Sequence, residues 1–195
     1  MKLHLKFVTI IFAFFFTFEI KAVESCGSQQ TMDIANDITG IFSDQWSAGS
    51  VSARGVKLGD AADCVEKSTI QNSTRLDLNG YAENSSHSEL PLSERIASTI
   101  EHGGWLQTSD GINYRIENGK VAQFGFFQDA LSSLGISQEA DIIANLGKPD
   151  DIQRFTRHGQ PAEAEYYYSN KQLLVIWSSP FNMLLNINIG PKHVR

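Results

Sequence analysis

"INYRIENGKVAQFGFF", residues 112–127, holds two alternating apolar runs separated by Asn118-Gly119. Asn-Gly is the strongest short-range hairpin signal, because both central residues of the two-residue turn need a left-handed backbone that follows the twist of the strands. Such a turn pairs Glu117 with Lys120, and every step outward keeps opposed residues on one face. Continued without interruption, the pattern puts Ile112, Tyr114, Ile116, Val121 and Phe127 on a core face. The other face then carries Asn113, Arg115, Glu117, Lys120, Ala122, Phe124 and Phe126. Its charges point it toward solvent, so Arg115, Phe124 and Phe126 become candidate partner-binding residues: aromatics beside an arginine are the types enriched at binding hot spots.

Working outward, "WLQTS" (105–109) reads as a strand closed by a turn at Asp110-Gly111, and "LSERIASTIEHG" (92–103) as the helix before it. Downstream lie four more strand candidates, "DIQRFTRH" (151–158), "AEAEYYYS" (162–169), "QLLVIWSS" (172–179) and "MLLNINIG" (183–190). Alternation sets Ala164, Tyr166 and Tyr168 on one face and Glu163, Glu165 and Tyr167 on the other, which adds Tyr167 to the candidate partner-binding set. In the next strand Leu173, Val175 and Trp177 oppose Leu174 and Ile176, so both faces are apolar. Such a strand is buried on both sides or forms part of a sticky surface.

Two Leu-Gly pairs suggest a repeat. Leu58-Gly59 leads to Ala62 and Val65, and Leu134-Gly135 leads to Ala140, Ile142, Ile143 and Leu146, each with acidic residues where a first helical turn favours them. Gly147 reads as the cap of the second helix and Pro149 prevents its continuation. Ahead of both units, Ile34, Ile38, Ile41, Phe42 and Trp46 fall at helical spacing over residues 31–46. The expected fold class is therefore α+β, a tandem repeat of helix plus antiparallel sheet units after an N-terminal helix. The boundaries are a signal peptide at 1–22, an N-terminal helical segment at 23–50, a first unit at 51–128 and a second at 129–195.

The leader rests on Lys2, Lys6 and the uninterrupted apolar run Phe7 to Phe18, too short for a comfortable bilayer span of about 20 residues. Cleavage falls after Ala22 or before Cys26. Loss of Lys2, Lys6, Lys21 and Glu19 with the leader moves the formal charge from −6 to −8, a poor balance for binding nucleic acid or an anionic membrane. The reading is periplasmic or secreted, with no membrane span in the mature chain. Cys26 and Cys64 are expected to form a disulfide, as an even cysteine count does in an oxidising compartment. The competing use of Cys26 is as a lipid anchor, and one sulfur cannot serve both. The Ser- and Asn-rich stretch 68–90 reads as a surface excursion, with glycosylation triplets at Asn72 and Asn84 that matter only in a eukaryote.

No catalytic constellation emerges. His87, His102, His158 and His193 show no metal-ligand spacing, the cysteines form no CxxC, and no GxSxG elbow is present. "HGGW" at His102 reads as a helix end, and the adjacent Asp150 and Asp151 as a turn. The sequence thus points to no catalytic residue, no metal and no cofactor.

The glycine, small polar and apolar helix pattern, the Leu146-Gly147-Lys148-Pro149 close and the Tyr166-Tyr167-Tyr168 strand resemble the SmpA/OmlA (BamE-like) domain. The tandem arrangement, over residues 55–66 and 131–189, is similar to that of the beta-lactamase inhibitor protein. The resemblance implies a non-enzymatic sheet that presents aromatic residues to another protein. The expected function is an immunity protein or inhibitor that masks a toxin or enzyme, the alternative an envelope assembly factor or lipoprotein.

Overall fold

The computed structural model describes Cys26 and residues 31–43, 46–76 and 87–191. The expected signal peptide at 1–22 and the Asn84 triplet lie outside the described residues. A two-residue parallel pair, β1 (Met32–Asp33) and β2 (Val51–Ser52), comes first. One antiparallel eight-stranded sheet follows, built from β3 (Ile70–Arg75), β4 (Gly104–Thr108), β5 (Ile112–Glu117), β6 (Lys120–Phe127), β7 (Asp151–Arg157), β8 (Gln160–Tyr168), β9 (Leu173–Ser178) and β10 (Met183–Ile189). Its spatial order is β3-β4-β5-β6-β10-β9-β8-β7. The described helices are α1 (Leu92–His102), the single turn α2 (Gln128–Leu131) and α3 (Glu139–Leu146).

This corrects the expected α+β tandem of helix-plus-sheet units. The molecule is mostly β, with one continuous sheet, and the two Leu-Gly segments differ. After Gly135 the chain does form α3, whose Asp141 side chain accepts from the Ser137 and Gln138 backbone N–H groups. After Gly59 it forms only turns and a 3-10 turn at Ala62–Cys64. The reason is competition for backbone groups: Gly59 N–H donates to Val121 O, Val121 N–H to Asp60 O and Ala62 N–H to Gly119 O. A segment stitched to the β5–β6 hairpin in this way has no spare donors and acceptors for a helix.

The N-terminal helix is also corrected. Residues 31–46 contain β1 and a 3-10 turn, Ile38–Phe42, instead of an α-helix. Asp33 and Asp37 accept hydrogen bonds from the backbone N–H of Ala35 and Thr39, the local capture by which aspartate competes with helix formation. The periodic apolar residues Ile34, Ile38, Ile41 and Trp46 are nonetheless buried. They reach the core from turns.

The hairpin at 112–127 forms with Asn118 and Gly119 both left-handed (φ 52° and 72°) and Glu117 opposite Lys120. Ile116 faces Val121, but Arg115 faces Gln123, so Ala122 is an extra residue on β6. This bulge flips every later side chain. Phe124 and Phe126 turn to the core, opposite Tyr114 and Ile112, and Phe127 turns to the other face.

Candidate binding face

The described elements bond to the sheet chiefly from one side, although Arg95 of α1 also reaches Asn72 Oδ1, at 2.7 Å, on the edge strand. From α1, Thr99 meets the Ser73 hydroxyl at 2.7 Å. The Tyr114 hydroxyl donates to Ala53 O at 3.0 Å, and that of Tyr168 to Gly147 O at 3.2 Å. At the start of α3, Glu139 accepts from the Tyr166 hydroxyl and pairs with Arg154 Nη1 at 2.7 Å. Burial, and then the Glu139 bond, push the Tyr166 phenol up to about 12. The buried apolar residues form a single cluster with these groups, Ile176 being the one left out. Ile176 belongs to the opposite face.

That opposite face is set by strand register. One row across the strands reads Asn72, Gln107, Asn113, Gly125, Asn188, Leu174, Tyr167 and Asp151. The next row carries Thr74, Trp105, Arg115 and Gln123. Its most distinctive feature is the tryptophan. A Cβ built on Gly125 would lie 3.4 Å from Trp105 Cζ3, 3.5 Å from Asn113 Cβ and 3.1 Å from Asn188 Oδ1, so the absent side chain is the space these groups occupy. The Arg115 guanidinium lies over the Trp105 ring at 5.8 Å from its centroid and binds Glu117 Oε1 at 2.7 Å. Burial pulls the Arg115 pKa below its usual value against the opposing pull of Glu117, and the group stays charged. Asn72 Nδ2 donates to Gln107 Oε1 at 2.8 Å, while Asn186 Oδ1 and Asn188 Oδ1 are buried acceptors with no hydrogen-bond partner.

Of the residues expected to meet a partner, Arg115 and Tyr167 share this face and are partly exposed. They stand on β5 and β8, four strand steps or roughly 19 Å apart. Phe124 and Phe126 are corrected: at 0% and 1% exposure on the covered face, they are inaccessible to any partner. Trp105, Asn186 and Asn188 were not among the expected partner-binding residues, and Leu174 was read only as one side of a strand apolar on both faces. The alternating Asn186-Ile187-Asn188-Ile189 was the available signal, since it puts amides on one face of a strand whose other face is apolar.

Cys26 and Cys64 are disulfide-bonded, with Cα atoms 5.5 Å apart. Among the described residues no helix is long and apolar enough to cross a membrane, and no three His, Cys, Asp or Glu side chains converge to hold a metal ion.

No family model and no curated protein matches this chain. A solved structure of a DUF4309 family protein (YjgB) from Bacillus subtilis is a neighbour at 13% identity and a TM-score of 0.32, covering 46% of this chain. The chain spans 64% of that neighbour's length.

Proposed function

We propose that this is an exported, non-enzymatic protein-binding protein that masks a partner toxin or enzyme with the face of its sheet opposite the apolar cluster, as an immunity protein or inhibitor does. The observation that carries the reading is the unequal covering of the sheet. One face holds the entire apolar cluster, whereas the other carries Trp105 with Arg115, the half-buried Leu174 and Tyr167, and the half-buried amides Asn72, Gln107 and Asn188, with Asn113 and Gln123 buried among them. Aromatic and arginine anchors among polar, hydrogen-bonding groups are the composition of a specific interface. The Cys26 disulfide supports this over the lipoprotein alternative, because it occupies the sulfur that a lipid anchor would need.

Photo-crosslinking tests it. A benzophenone side chain at Gln107 or Tyr167 should trap one discrete protein adduct in the native extract, and the same group at Ile143, on the outer side of α3, should not. Leu174→Asp should weaken the capture roughly thirtyfold or more, the usual effect of damage at an interface hot spot. Equal adducts from all three positions would defeat the reading.

A further inference from the structure

We infer that the end of the sheet made by the β7–β8 and β9–β10 turns docks on an anionic lipid surface. Phe181, in the β9–β10 turn, is 76% exposed, the most open of the large apolar residues described. Phe155, on β7 opposite the bulge in β8, and Phe127, at the end of β6, are exposed at the same end of the sheet. The two turns lie side by side, since Ser179 N–H donates to Ala162 O at 2.9 Å.

The two turns themselves carry no acid. Residues 156–162 and 179–183 contain Arg157 and His158 and no acid, in a chain with 22 acidic residues. The first acid inward is Glu163, level with Ser178 on the open face. The other end of the sheet is mixed, with Asp60, Glu117 and Asp150 beside Lys57, Lys120 and Lys171. A protein pocket would have to be shaped around two projecting turns. The boundary between headgroups and acyl chains accepts an aromatic ring without a complementary cavity, and anionic headgroups attract the adjacent Arg157. Docked this way, the sheet stands on end and the open face remains available.

The test is flotation of the purified, disulfide-bonded protein without residues 1–22, whose own apolar run would enter lipid. Equimolar phosphatidylcholine and phosphatidylglycerol vesicles are compared with pure phosphatidylcholine. The protein should float with the anionic vesicles and detach as salt is raised. Phe181→Ser and Arg157→Glu should each lower the partition about tenfold at an unchanged melting temperature, as expected of exposed positions. Phe181→Trp should gain blue-shifted emission on vesicle addition beyond any shift of the wild type. Failure of the wild type to float, equal binding to pure phosphatidylcholine, or an undiminished partition of Phe181→Ser would each overturn the inference.

Discussion

Phe124 meets Tyr114 edge-on, with ring centroids 5.9 Å apart and planes at 89°, inside the closed side of the sheet. Truncation to alanine there removes a whole buried ring, so Phe124→Ala should cost about 3–5 kcal/mol in a denaturant titration. Asn188 on the opposite face behaves in the reverse sense. Its Oδ1 is buried without a donor, and an unsatisfied acceptor is itself destabilising. Asn188→Leu should therefore stabilise the isolated protein by about 1 kcal/mol while weakening partner capture. A fall in melting temperature would show that the amide has a structural role instead. What separated the legible from the illegible at this scale was one residue. Asn118-Gly119 announces its turn through backbone chemistry that any neighbourhood must respect, and the pairs out to Ile116 and Val121 follow. Ala122 announces nothing: an alanine fits a regular strand as well as a bulge. The extra residue is selected by packing, because it delivers two phenylalanines to the core and brings Gly125 beneath Trp105.

β4 to β10 and α1 were readable because their signals are local: alternation, turn residues, and a helical stripe that ends at Gly103; β3, Ile70–Arg75, lies instead in the stretch that reads as a surface excursion. Elements held by distant partners were not. The segment after Gly59 has the composition of a helix start, yet its backbone is committed to a hairpin about 60 residues further on. At the start of α3, burial raises the Glu139 carboxyl, but the Tyr166 and Arg154 hydrogen bonds and the Arg154 charge outweigh it and hold it below its usual 4.5. A depressed carboxylate contributes stability that is complete above its unfolded value and is lost as pH falls through the folded one. The wild-type protein should thus lose stability more steeply below pH 4.5 than Glu139→Gln does, as measured by urea midpoints on a descending pH series. Parallel acid limbs would mean that the carboxylate bonds contribute nothing to holding α3 on the sheet.

At the scale of the whole molecule, the disulfide secures the turn-rich layer that rides on the hairpin, bridging a sequence separation of 38 residues. Reduction and alkylation should cost on the order of 3–4 kcal/mol, the usual effect of opening a loop of that length. The sheet order has a consequence for biogenesis. β6 and β9 are joined only through β10, the last strand in chain order, which sits in the middle of the sheet. A chain that crosses a membrane from its N-terminus therefore emerges with β3 to β6 able to pair among themselves, and with the β6 edge bare until nearly everything else has arrived. During that interval an apolar strand presents its unpaired backbone to every other nascent copy. On the proposed reading of an exported protein, its export should accordingly depend on a holding chaperone or on slow delivery. A stop codon at Met183 should leave a four-stranded piece, β3 to β6, and a three-stranded piece, β7 to β9, both with raw edges, recovered as aggregate and not as a smaller soluble fold.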